Sequence, residues 1–130
     1  MNGMYTGQLG VIHVEKPGIG KVGVTDLERT LIDITVRPVY SGGVFQVLRT
    51  FRKLRGSVSV AKIANMLGEI DYVYPYHQAI GFYMEKAGYE KNSLDLLKHF
   101  GLKYDFYLTH QMEEPEFSNE WRIFFPHGLK

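Results

Sequence analysis

This chain of 130 residues contains no cysteine. Disulfides, thiolate metal centres and a cysteine nucleophile are therefore excluded, and the composition agrees with a reducing compartment. Long apolar runs are also missing: nothing approaches the roughly 18–20 consecutive apolar residues that span a membrane. The opening MNGMYTGQLG has neither the basic segment nor the apolar stretch of a secretion signal. A cytoplasmic, soluble protein without membrane contact is the expectation.

Catalytic signatures are scarce as well. His13, His77, His99, His110 and His127 include no pair four residues apart around a carboxylate, so the helical zinc-hydrolase motif is absent. Gly18-Ile19-Gly20-Lys21 shares part of a phosphate-loop pattern without its full spacing, and a Lys-Pro-Gly hairpin turn accounts for it. Ser57, Ser59 and Ser93 lie outside any nucleophile-elbow context and read as helix caps. Glu15-Lys16 and Glu85-Lys86 are adjacent pairs, not the Glu-x-Lys of a metal-dependent nuclease. No catalytic residue, metal site or cofactor motif emerges.

What is present describes a folded chain. Apolar residues make up 45% and charged residues 22%, close to the globular average, and this length suits one domain over residues 1–130 with a sizeable core. Leu9–Glu15 is β-branched and alternates weakly, and Lys21–Val24 returns after a Pro-Gly turn, which predicts a hairpin. A helix follows, opened by a capping box of Thr25 and Glu28 and closed near Val36 by Pro38. A second helix fits Val44–Arg55, with Val44, Val47, Leu48, Phe51 and Leu54 on one face and Gly56 beyond it. A third is capped by Ser57 or Ser59, buries Val60, Ile63, Ala64 and Leu67, and stops at Gly68. A fourth starts near Pro75 and carries Tyr76, Ala79, Ile80, Tyr83, Met84 and Ala87 as a stripe ending at Gly88. A fifth spans Ser93 to Phe100. Lys103–His110 and Glu120–Pro126 are aromatic and β-prone, separated by the acidic loop QMEEPEFSN, and suggest an antiparallel pair. The expected class is α+β, with terminal β-strands forming a sheet packed against about five central helices.

Charge is unevenly placed. On the first helix Leu27, Leu31 and Ile34 share one side and Ile32 and Val36 lie nearly opposite, so the helix should be wedged between two apolar surfaces. The remaining stripe carries Asp26, Arg29, Asp33 and Arg37, alternating in sign at spacings of three, four and four. Such a ladder is structural before it is anything else, each exposed step contributing about 0.3–0.5 kcal/mol. The alternative is a partner-facing surface around Arg29 and Asp33. From Arg37 to Lys62 there are Arg49, Arg52, Lys53 and Arg55 but no acid. Arg49, Arg52 and Lys53 project from the second helix as either a solvated face or a phosphate-binding surface. Glu113, Glu114, Glu116 and Glu120 offer a counter-charge within the fold or across a dimer. Tyr72, Tyr74, Tyr76, Tyr83, Tyr89, Tyr104 and Tyr107 crowd the second half, where core packing is favoured over base stacking.

The run VTDLERTLID, followed by R-P-x-x-x-G-G-V and a helix with Val47 and Leu48, resembles the C-terminal domain of AbiEi-family antitoxins of type IV toxin–antitoxin, or abortive-infection, systems. AIGFYMEKAG (Ala79–Gly88) is similar to that family's Leu- and Gly-rich helix, and WRIFFP to its terminal strand, so the likeness covers about Val11 to Pro126. Glu28, Arg29, Asp33, Arg37, Pro38, Gly42 and Gly43 match the motif's core; Gln78–Ile80 departs from the family's arginine before Leu-Gly. Members usually carry an N-terminal winged helix that binds their promoter, and this chain begins too late to include one. The resemblance implies a non-enzymatic antitoxin and transcriptional-regulator role in phage defence. The implied partner is a cognate nucleotidyltransferase-like toxin, without an assured stable complex; DNA is a partner either through the basic helix or through the winged-helix domain missing here, and specific operator binding does not carry over. A nucleic-acid-binding module using the basic helix and a degenerate nuclease-like domain are the alternatives.

Overall fold

Two β-branched runs flank Pro17 and Gly18, and the chain reverses between them. The computed structural model describes residues 10–18 and 20–130. Strands β1 (Val11–Lys16) and β2 (Gly20–Thr25) pair antiparallel, with Val11 opposite Thr25 and Lys16 opposite Gly20. The expected strand start at Leu9 lies outside the described residues.

Five helices follow: α1 (Leu27–Val36), α2 (Val44–Leu54), α3 (Val60–Ile70), α4 (Tyr76–Lys86) and α5 (Lys91–Lys98). Between α1 and α2 runs a 3₁₀ turn, Pro38–Ser41. The capping box at Thr25 does not form. Asp26 is the N-cap, its carboxylate accepting the Arg29 N–H at 2.8 Å, and the Thr25 hydroxyl meets that of Thr30 at 3.0 Å instead. The Asp26 N–H donates to the Gly10 carbonyl at 2.6 Å, which holds Asp26 at the hairpin base and outside the helix. Of the two apolar sides expected of α1, Leu31 and Ile32 are both buried and Ile34 and Val36 pack against the core, with Glu28 and Thr35 buried as well, while Leu27 is exposed.

The apolar face of α2 is buried as the spacing predicts, from Val44 through Phe51. Ser59 caps α3 by accepting the Lys62 N–H at 3.1 Å. Gly68 does not stop α3. It lies on the exposed side, and the helix runs on to bury Ile70 before Asp71 turns it off in a left-handed conformation, φ 54°. Helix α4 is the central one: Gln78 through Met84 are all buried, so it lacks a solvent stripe. Gly81 is required there, because a Cβ would overlap the Trp121 ring.

The tail forms a three-stranded sheet of β3 (Phe106–Tyr107), β4 (Glu116–Ser118) and β5 (Ile123–Phe125), in the order β3-β5-β4. The expected antiparallel pair is in fact parallel: Phe106 lies opposite Ile123 and Tyr107 opposite Phe124. The acidic loop supplies β4, antiparallel to β5, so the chain reverses twice between β3 and β5 and they run the same way. The hairpin forms a separate two-stranded sheet, so the strands from the two ends of the chain do not share one sheet as expected. The class is α+β. One core links the helices to the tail, from Leu31 and Phe51 through Tyr83 and Leu97 to Trp121, Ile123 and Leu129. Among the described residues no helix is long and apolar enough to cross a membrane.

Candidate functional site

The charged edge of α1 separates into three arrangements. Asp26 pairs with Lys62 of α3 at 2.8 Å, and the Lys62 ammonium also lies 3.5 Å from Glu28. Glu28 is nearly buried, and its second carboxylate oxygen accepts the Ser59 N–H at 2.8 Å. Thus the acids at the start of α1 hold the start of α3. Burial alone would raise the Asp26 carboxyl, but hydrogen bonds from Lys62 and the Arg29 amide, with both positive charges, hold it below its ordinary range. Among the described residues the close ion pair along this edge of α1 is the middle step of the ladder, Arg29 Nε to Asp33 Oδ1 at 3.0 Å. Arg37 leaves it: its guanidinium lies 5.8 Å from the centre of the Tyr40 ring. Among the described residues no carboxylate stands within 4.0 Å of Arg37.

Gly42 and Gly43 end this segment with φ of 92° and 97°, in the left-handed region that disfavours any side chain. The Gly43 N–H donates to the Pro38 carbonyl at 2.8 Å, and its own carbonyl begins α2 by accepting from Val47 at 3.0 Å. The motif's glycines therefore set the angle between the 3₁₀ turn and α2.

A wall of tyrosines covers the α1 edge. Tyr72, Tyr74 and Tyr76 alternate through the α3–α4 connection, with Tyr76 in edge contact with both others at 5.0 and 6.2 Å. Burial pushes the Tyr72 and Tyr76 phenols up. Asp33 adds to the rise at Tyr72 and Arg29 opposes it, whereas Tyr74 adds to it at Tyr76 and Arg37 opposes it. Beyond Tyr74 a cleft of about 770 Å³ opens between three distant segments: residues 35–40, the Tyr74–Tyr76 wall, and residues 106–112. Its lining includes the Arg37 guanidinium and the His110 imidazole, with no Asp or Glu. A smaller cavity of about 280 Å³ adjoins across Tyr74 and Tyr76 and contains Lys103, Tyr104 and Asp71.

The expectation that the tyrosines pack the core holds for Tyr83, which is buried, and fails for Tyr74, Tyr104 and Tyr107, which are 61%, 69% and 55% exposed. The Tyr72-x-Tyr74-x-Tyr76 alternation, interrupted by Pro75 in a connection between helices, was the available signal for an exposed platform. Gln78 was also undervalued. It is buried, and its amide donates to the carbonyls of Tyr104 and Trp121 at 2.9 and 2.8 Å, tying α4 to the tail.

Arg49, Arg52 and Lys53 are exposed on the outer side of α2 with Phe45, at positions that share one helical face. Among the described residues none of the three cations has a carboxylate within 4.0 Å. Within the fold the acidic loop does not neutralise them: Glu120 pairs with Lys98 at 2.6 Å and Glu116 lies 3.4 Å from His127. Arg55 turns away, donating to the Ala87 carbonyl at 3.2 Å. Among the described residues no three His, Asp or Glu side chains gather as a metal site.

Comparisons with protein-family models, curated proteins and solved structures returned no match.

Proposed function

We propose that this chain is a non-enzymatic regulatory domain of the antitoxin type, acting against a nucleotidyltransferase-like toxin in phage defence. The observation that carries the reading is the placement of Glu28. The acid at the centre of the AbiEi-like motif is nearly buried, bonded to the Ser59 amide and bridged to Lys62. A carboxylate held this way organises two helices and is poorly placed to act on a substrate. Arg29–Asp33 and the two glycines support the same assignment, since each has a structural partner or a backbone role. Co-expression of the soluble chain with the toxin from its own locus should relieve growth arrest. Arrest that persists with the chain soluble and folded removes the proposal.

A second reading draws on the unpaired cations of α2. Arg49, Arg52 and Lys53 beside exposed Phe45 suit a nucleic-acid backbone. Binding should weaken as salt rises and again when the three cations become Ala. Affinity indifferent to both removes this reading.

A further inference from the structure

We propose that the cleft between the end of α1 and β3 binds a nucleotide, its base laid on the Tyr74 ring and its phosphate at Arg37. This inference goes beyond the antitoxin reading and stands or falls without it. Tyr74 is backed by Phe106, centroids 6.2 Å apart and planes 25° from parallel, and its ring is 61% exposed. Tyr107 is backed by Phe124 at 4.6 Å and 16° and is 55% exposed. Tyr74 is thus held by the Phe106 ring and, edge-on, by Tyr76 while most of its surface stays exposed; Tyr107 follows Phe106 on β3, so its ring leaves the other face of that strand. The held Tyr74 ring is a prepared surface for a flat guest, with little side-chain freedom left to lose.

Charge narrows the guest further. The cleft lining carries Arg37 and His110 and no acid, so it favours a neutral or negative ligand. Arg37 meets only the face of Tyr40 and has no carboxylate within 4.0 Å among the described residues. A planar base attached to a phosphate matches an exposed ring beside a guanidinium with no carboxylate neighbour among the described residues, and the tyrosine hydroxyls can donate to or accept from base edges. At about 770 Å³ the cleft falls within the roughly 300–1,000 Å³ of small-molecule sites. The adjoining cavity, with Lys103 and Tyr104 across the shared Tyr74–Tyr76 wall, offers room for a neighbouring unit of a strand.

The nucleotide is either free or an unpaired unit of a single strand, and the assay separates these. A fluorescein-labelled single-stranded hexanucleotide is titrated with the full chain by anisotropy, then competed with unlabelled nucleoside monophosphates, the same strand and its duplex. Tyr74→Leu keeps an apolar cover on Phe106 and removes the ring face; it should weaken binding about fivefold or more. Arg37→Gln should weaken it and lower the slope of log affinity on log salt by about 0.7. Lys91→Gln, exposed on α5 and outside the cleft lining, should leave both unchanged, whereas Arg49→Gln with Lys53→Gln reads the separate α2 surface. Competition by monophosphates assigns the free nucleotide, and competition by the strand alone assigns the strand. The proposal is overturned by any of three results: no binding of either form, binding lost only with the α2 variants, or duplex binding indifferent to Tyr74→Leu. Unchanged melting of each variant confirms that the comparison is between folded proteins.

Discussion

Tyr83 sits at the centre of the core, stacked on Phe51 at 5.0 Å with planes 13° apart, and is fully buried. Its hydroxyl has no hydrogen-bond partner among the described residues. Burial therefore pushes its phenol far up, and the unbonded O–H costs on the order of 1–3 kcal/mol of desolvation without return. The ring is what the core uses; the oxygen is not. Tyr83→Phe keeps the stacking and should raise stability by about 1 kcal/mol, measured as a higher urea midpoint at unchanged slope. A lower midpoint would show that the hydroxyl has a structural role. The contrast with Tyr89 is instructive, because its hydroxyl donates to the Phe51 carbonyl at 2.8 Å. Two tyrosines on the same phenylalanine thus differ in whether the polar tip is accommodated.

At the scale of elements, the junction of α1 with α3 is governed by acid placement. Asp26 caps α1 and binds Lys62, and its folded pKa lies below the ordinary value. A carboxylate depressed in this way adds stability above about pH 4 that is lost as pH falls through the lowered value. Asp26→Ala should cost about 1 kcal/mol near pH 7 through the lost cap, and flatten the acid side of the stability curve. Urea midpoints between pH 2.5 and 7 check both. Glu85 at the end of α4 behaves oppositely. Burial, then its contact with Glu120, raises its carboxyl, while Trp121 Nε1 donates to it at 3.2 Å and Lys98 opposes the rise. Glu120, beside Glu85 and paired with Lys98 at 2.6 Å, is lowered, so the two neighbouring carboxyls are pushed in opposite directions. The Glu85 contribution is present below its ordinary value and lost as pH rises through the raised one. Glu85→Gln should therefore be more stable relative to the parent at pH 7 than at pH 4, by the same midpoint comparison. How far the sequence disclosed these elements follows from how local their causes are. The hairpin, the buried face of α2 and the Ser59 cap rest on neighbours a few residues apart, and all were legible. The Thr25 capping box was not, because the Gly10 carbonyl draws Asp26 out of the helix and Glu28 finds its partner 31 residues away at Ser59. The cleft was hidden for the same reason: Arg37, Tyr74 and Tyr107 meet only after three segments have folded together.

Across the whole molecule, the last residues complete what the first helices begin. Strand β5 is the middle strand of its sheet although it is the last in sequence. Trp121, Ile123, Phe125 and Leu129 are all buried in the core that includes Leu31 and Phe51. Trp121 lies on Gly81, and its carbonyl accepts from buried Gln78, so α4 has no finished surface until residue 121 has arrived. Truncating a single core side chain of this kind costs roughly 2–5 kcal/mol. Removing four together approaches or exceeds the roughly 5–15 kcal/mol that holds an ordinary domain folded. A chain ending at Glu120 should therefore lose its cooperative melting transition while retaining part of its helical signal, as a collapsed state without fixed packing does. Restoring residues 121–130 as a separate peptide is a weaker remedy, because the linked chain supplies a high local concentration that the free peptide lacks. If the shortened chain instead melts cooperatively near the parent temperature, then α1 to α5 close a core without the tail, and the sheet is an addition to the helical unit and not its completion.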